Sequence, residues 1–158
     1  MTALDRSDLR ILESLQSDCT CTLERLAEQV GLSVNACWKR LKRLEASGVV
    51  QQRVALLDRK LLGMGVTAFV TIRTDQHDGK WLEEFAAGIA RIPEVVEFYR
   101  MSGDVDYMLK VVCADIEDYD RIYKRIIKTA RLRDVSGFFA MEQLKYTTKV
   151  PLDGHAAG

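Results

Sequence analysis

The stretch Ser33-Val-Asn-Ala-Cys-Trp-Lys-Arg-Leu-Lys-Arg-Leu-Glu-Ala-Ser47, entered through Gly31-Leu32, constrains this chain more than any other part of it. Ser33 is placed to cap a helix, its hydroxyl accepting a backbone N–H that every helix start leaves without a partner. Val34, Cys37, Leu41 and Leu44 recur at helical spacing and form an apolar stripe. Lys39, Arg40, Lys42 and Arg43 fall on the opposite face, with Asn35 near the start. Upstream, Thr22 caps a short amphipathic helix, Leu23-Glu-Arg-Leu-Ala-Glu-Gln-Val30. Two short helices joined by a tight glycine turn, the second of them basic, form a helix-turn-helix pattern. In that motif the second helix enters the DNA major groove and meets base edges with its N-terminal residues. A basic amphipathic helix alone is most often a solvated face; the turn and the partner helix are what point to DNA.

Net charge is zero, so DNA binding requires that the charge be unevenly placed. It is. Residues 1–32 carry three basic and six acidic side chains. Residues 33–60 carry seven basic ones (Lys39, Arg40, Lys42, Arg43, Arg53, Arg59, Lys60) against Glu45 and Asp58. Phosphate contact needs a local patch, not a basic protein overall. No apolar run approaches the roughly 18–20 residues of a membrane span. The start Met-Thr-Ala-Leu-Asp lacks the basic and apolar regions of a signal peptide, so a cytoplasmic protein with reduced thiols is expected. Cys19-Thr-Cys21 is too tightly spaced for a metal clip, and histidine occurs only at His77 and His155, so no metal site is expected. Cys37 and Cys113 read as small apolar core residues.

Helical and strand periodicities divide the chain. Asp5 followed by Asp8 starts a first helix with a near-capping box, and Leu9, Ile11, Leu12 and Leu15 supply its apolar side. Gly48 ends the third helix, and Val49–Leu57 reads as a strand pair or a connecting strand, which gives a winged helix in outline. From Val66 the period becomes two: Val66, Ala68, Val70 and Ile72 alternate with Thr67, Phe69, Thr71 and Arg73. A helix with Trp81, Leu82, Phe85, Ala86 and Ile89 on one side follows Asp78-Gly79, and strands are expected at 95–101 and 105–113. Asp115 caps a further helix (Ile116, Tyr119, Ile122, Tyr123, Ile126), and a last strand is expected over about 135–147. The order βαββαβ is that of a ferredoxin-like domain, with both helices on one sheet face because βαβ crossovers are right-handed. The whole is an α+β chain: a winged helix-turn-helix at 1–57, a linker at 58–65, a ferredoxin-like domain at 66–150 and a flexible tail at 151–158. Phe69, Tyr99, Tyr107, Phe138 and Phe139 make the second sheet face too apolar to stand bare, which predicts an obligate dimer.

Five stretches together resemble the Lrp/AsnC (feast/famine) family of transcriptional regulators: Leu4-Asp5…Asp8…Ile11-Leu12, Leu26-Ala27…Val30-Gly31-Leu32-Ser33, Arg40-Leu41…Leu44-Glu45…Gly48-Val49, Pro93-Glu94-Val95, and Gly103-Asp104-Val105-Asp106-Tyr107. The resemblance runs from Leu4 to about Pro151. It implies an amino-acid-sensing C-terminal domain and dimers that associate further into tetramers or octamers. It also implies an effector cleft between dimers at the turn Ser102-Gly103-Asp104-Val105-Asp106. Physical chemistry is compatible with that placement. Asp104 or Asp106 can hold an ammonium group, and backbone N–H groups of a glycine turn can donate to a carboxylate. Gly-Asp is also ordinary turn chemistry, so the assignment to a ligand rests on the resemblance. Asp106 leads the candidates, followed by Met101, Gly103 and Asp104, with Phe139 and Ala140 added by the resemblance. The family's usual Pro-Gly before the last strand is replaced here by Ala130-Arg131. A narrower resemblance, carried by Cys37–Glu45, Val54–Asp58 and Phe139–Thr148, is to the branch that activates cysteine detoxification genes; it implies L-cysteine or a similarly small amino acid as effector.

The expected mechanism follows. Two recognition helices of a dimer meet successive major grooves of double-stranded DNA. Arg40, Lys42 and Arg43 meet phosphates and set the salt dependence, while Asn35, Ala36 and Lys39 near the helix start read bases; Ser33 completes the candidate set. Trp38 either packs within the domain or stacks near the sugar backbone. The rival reading is an effector-independent architectural DNA binder. No cofactor is expected, nor catalysis: no Ser/His/Asp, Cys/His or metal cluster appears.

Overall fold

Most of the helix starts are set by side chains three residues apart, and in the computed structural model, which describes residues 4–76 and 78–152, they form where the sequence places them. His77, His155 and most of the expected tail lie outside the described residues. The elements are α1 (Arg6–Ser17), α2 (Leu23–Val30), α3 (Val34–Ala46), β1 (Val66–Arg73), α4 (Gly79–Ile89), β2 (Val95–Arg100), β3 (Tyr107–Cys113), α5 (Ile116–Ile126) and β4 (Asp134–Phe139). At α1 the capping box is complete: the Asp5 carboxylate accepts from the Ser7 and Asp8 N–H groups, and the Asp8 carboxylate accepts from the Asp5 N–H. Thr22, Ser33, Asp78 and Asp115 each accept a backbone N–H at the start of their helices. Gly31 takes a left-handed φ of 71°, which ends α2 and turns the chain into α3 at no steric cost.

The chain divides into two compact units, the first running up to Leu56 and resuming from Lys145, the second being Leu57–Leu144. The first unit is three helices around Ile11, Leu12, Leu26, Ala27, Val30, Cys37, Leu41 and Leu44. Val34, expected in the buried stripe, is exposed, because at the first turn of α3 the partner helices have not yet closed over it. No strand forms over residues 51–58. Among its described residues this unit contains no other strand for that segment to pair with, so Val54 and Leu56 stay exposed. The C-terminal segment belongs to this unit. The Gln16 amide pairs twice with the backbone of Val150, Lys149 Nζ donates to Ser17 Oγ at 2.9 Å, and Leu152 packs on the helical core.

The second unit is a four-stranded sheet in the order β2-β3-β1-β4, every neighbouring pair antiparallel. One face carries Ala68, Val70 and Ile72 of β1 and Tyr107, Leu109, Val111 and Cys113 of β3. Phe85 and Ile89 of α4 and Ile122 and Ile126 of α5 cover it. Phe85 anchors this layer, stacked on Trp81 at 5.0 Å and edge-on to Phe98 and Tyr107 at 5.4 and 5.5 Å. The other face follows from the register: Phe69 opposite Lys110 and Phe138, Thr71 opposite Met108 and Ser136, Tyr99 opposite Met108. Two expected members of that face belong to the helix side instead. Tyr107 is buried with Phe85, and Phe139 meets Tyr119 of α5 edge-on at 4.8 Å. β4 is also shorter than expected. Its last ladder contact is the Ala140 N–H to the Thr67 carbonyl, and because β1 begins at Val66, no partner edge remains for residues 141–147.

Candidate DNA interface and effector turn

Helix α3 presents a mixed face, and its cations are not equivalent. The Ser33 hydroxyl is taken by the Ala36 N–H, while Asn35, Lys39 and Trp38 stand in solvent. Trp38, with 48 % of its surface exposed, has not folded away into the core. Lys42 is shared with Glu45 at 2.9 Å, and Arg53 reaches the same carboxylate at 2.8 Å. These two cations, Lys42 first, hold the Glu45 carboxyl below its ordinary range. Arg40 is engaged most fully. Its Nη1 donates to Asp5 at 2.6 Å and to Asp8 at 2.9 Å, which raises its affinity for its proton. Arg43 donates to the other oxygen of Asp8 but remains 46 % exposed. Asp8 itself is completely buried. This cluster, joining residues more than thirty positions apart, is not visible in the sequence pattern.

In the sheet unit the expected effector residues divide. Met101, Ser102, Gly103 and Asp104 are exposed in the turn after β2, with Gly103 at φ 116°, a conformation open to glycine. Asp106 is half-buried, and one of its carboxylate oxygens accepts the Thr74 N–H at 2.8 Å. Its backbone accepts from Met101 N–H and donates to the Ile72 carbonyl, tying the turn to the end of β1. Arg73 Nε donates to the Asp104 carbonyl at 2.6 Å. Phe139 and Ala140 are not part of this group. Phe139 pairs with Ala68, four residues along β1 from Ile72, which is about 13 Å at ~3.3 Å per residue.

Beside the end of β1 lies a cleft of about 260 Å³ lined by Asp75, Gln76, Arg131, Leu132 and Arg133. Its lining includes Arg131 of the Ala130-Arg131 dipeptide, where the sequence resemblance expects Pro-Gly, and Arg133 reaches Asp75 at 3.2 Å. Only that missing dipeptide could have drawn attention to Arg131 and Arg133 in the sequence. A second, wider groove of about 610 Å³ between α1 and α2 holds none of the candidate residues. Burial pushes the Cys37 and Cys113 thiols up, as expected of core residues. Among the described residues no group of three or more potential ligands is placed to hold a metal ion, and no helix is long and apolar enough to cross a membrane.

Comparison with known proteins extends over nearly the whole chain. Residues 4–51 match the family described as winged helix-turn-helix DNA-binding, and residues 67–150 match the Lrp/AsnC ligand binding domain. The glutamate uptake regulatory protein of Zymomonas mobilis is 49 % identical over 94 % of this chain and 91 % of its own length. The DNA-binding transcriptional activator DecR of Escherichia coli is 47 % identical over 95 % of this chain and 99 % of its own. Among solved structures, a transcriptional regulator of Neisseria meningitidis in complex with L-Met superposes with a TM-score of 0.90 at 31 % identity, covering 96 % of this chain and 98 % of that one.

Proposed function

The chain belongs to the Lrp/AsnC family of transcriptional regulators, and from that premise we propose that it is a cytoplasmic DNA-binding sensor whose effector, L-cysteine or a similarly small amino acid, is held at the turn 102–106 where copies of the chain meet. Its relatives are transcriptional regulators rather than enzymes, and the amino-acid response follows from its ligand-binding domain.

The geometry of Asp106 carries the proposal. One carboxylate oxygen is fixed on the Thr74 N–H, which holds the side chain in one orientation and leaves the other oxygen to meet an ammonium group. The distance from this turn to Phe139 and Ala140 supports a site completed by another chain. One protomer cannot bring both groups around a ligand a few ångströms long. The uncovered sheet face, with Phe69, Tyr99 and Phe138, favours a dimer, and dimers joined at the turn give a tetramer or octamer. In this assembly Ser33, Asn35, Ala36 and Lys39 face base edges, and Lys42 and the exposed part of Arg43 meet phosphates. The effector acts by binding one assembly better than another.

Isothermal titration under reducing conditions tests this, first with cysteine, then with methionine, glutamate and the remaining amino acids. Saturable cysteine binding that is lost in Asp106→Ala, with DNA binding retained, is the expected result. Binding of a different amino acid discards cysteine and keeps the sensor. Silence across the panel overturns the sensor and leaves an effector-independent architectural DNA binder.

A further inference from the structure

The capping box of α1 does more than start a helix. Asp8 Oδ2 accepts the Asp5 N–H at 3.1 Å, as a capping residue does, and also takes Arg43 Nη2. Its Oδ1 takes Arg40 Nη1 at 2.9 Å. The same Arg40 nitrogen reaches the cap residue, Asp5 Oδ2, at 2.6 Å. Two carboxylates from the first turn of α1 thus meet two guanidinium groups from α3, one turn apart on that helix. Asp8 has no exposed side-chain surface, so its charge is matched inside the protein and not by water. Contacts at two successive turns resist both rotation of α3 about its axis and sliding along it. A single contact would restrain both less.

We propose that Asp8 and Arg40 are positioning residues for the recognition helix, and that Arg40 is not a phosphate ligand. This rests on the reading that the helical unit binds DNA through α3. The sequence groups Arg40 with Lys42 and Arg43 as one basic face, and the structure separates them. Arg40 spends its charge on Asp5 and Asp8 and is 29 % exposed. Lys39 has no ion partner among the described residues, and Arg43 keeps free donors toward solvent. The cluster sets the angle at which Asn35 and Lys39 meet a groove, and Lys42 and the remaining donors of Arg43 supply the phosphate contacts.

The test is fluorescence anisotropy with a labelled random-sequence duplex over a range of NaCl, at a temperature where circular dichroism shows each variant folded. Removing one phosphate ligand should flatten the slope of log K against log[salt] by about 0.9. Lys42→Ala and Arg43→Ala are expected to do so. Arg40→Ala is expected to weaken binding several-fold with the slope unchanged, and Arg40→Lys, which keeps the charge but cannot span both carboxylates, is expected not to restore it. Asp8→Asn should weaken binding similarly, and the double variant Asp8→Asn/Arg40→Ala should be no weaker than either alone. A flattened slope in Arg40→Ala, or recovery in Arg40→Lys, makes Arg40 a phosphate ligand and overturns the proposal. Unchanged affinity in folded Arg40→Ala and Asp8→Asn overturns it too, leaving a cluster that serves stability alone. If the unsubstituted protein shows no salt-dependent binding, the DNA reading itself fails.

Discussion

The helical unit closes on itself, and the sheet unit does not. In the first, three helices and the returning segment from Lys145 surround one core, and even the recognition helix has its arginines tied inward. In the second, α4 and α5 cover one sheet face, and no helix among the described residues covers the other, where Phe69 is half-buried and Tyr99 and Phe138 are exposed. The difference fits the proposed placing of the two activities. A DNA-reading surface can be preset within one chain, because its ligand is large and the helix needs only a fixed angle. An amino-acid site that must shift an assembly belongs where the chain is incomplete.

The largest effect should distinguish the two sheet faces. Phe85→Ala empties the centre of the helix-covered layer and is expected to cost about 3–5 kcal/mol. Phe138→Ala, at a position 58 % exposed, is expected to cost little in dilute protein and more in concentrated protein, where copies associate. Chemical denaturation at two protein concentrations measures both. Equal, concentration-independent losses would mean that the faces do not differ and that no second copy covers the sheet.

A smaller effect tests how tightly the covered face is packed. A Cβ on Gly137 would fall on the Tyr119 hydroxyl. Gly137→Ala should therefore displace Tyr119 from its edge-on contact with Phe139 and cost about 1–3 kcal/mol. Thermal melts report the loss, and recovery in Gly137→Ala/Tyr119→Phe would identify the hydroxyl as its cause. An unchanged melting temperature would mean that this edge of the layer yields easily.

The closure of the helical unit can be weakened from its C-terminal segment. Gln16→Ala removes two hydrogen bonds to Val150 and is expected to cost about 1 kcal/mol. Hydrogen exchange should rise in α1 and remain unchanged in the sheet. A rise in both units would show that the segment does not belong to the first alone.

These differences also explain what could be read in the sequence. The caps at Asp5, Thr22, Ser33, Asp78 and Asp115 act over three residues and were open to inspection. So were the periodicities that separate the two units and order βαββαβ. The sides taken by Tyr107 and Phe139 depend on how strands pair, including the irregularity between Val95 and Glu97, and residue type does not reveal register. The end of β4 depends on where β1 begins, seventy-odd residues earlier in the chain. Arg40 looks like any surface arginine until Asp8 is brought to it from 32 positions away. At the candidate effector turn the local chemistry of Gly103, Asp104 and Asp106 was legible, but the separation of Phe139 and Ala140 from it was a matter of tertiary distance.

The smallest effect lies on the uncovered face and depends on pH. Lys110 donates to Glu97 at 2.6 Å and Tyr99 Oη donates to its other oxygen at 2.8 Å. Lys110 first, and then Tyr99, hold the Glu97 carboxyl below its ordinary value of 4.5. A carboxylate depressed in the folded state binds protons more weakly there than in the unfolded chain. Its contribution is therefore complete above about pH 4.5 and disappears as the pH falls through the lower folded value. Glu97 is 37 % exposed in one chain, so the effect on unfolding should be slight. If a second copy covers this face, water leaves the ion pair and the same protonation opposes association. Light scattering between pH 5 and about pH 3 should then show acid dissociation ahead of unfolding, shifted in Glu97→Gln. Dissociation identical in the two proteins would place the dimer contact elsewhere on the sheet unit.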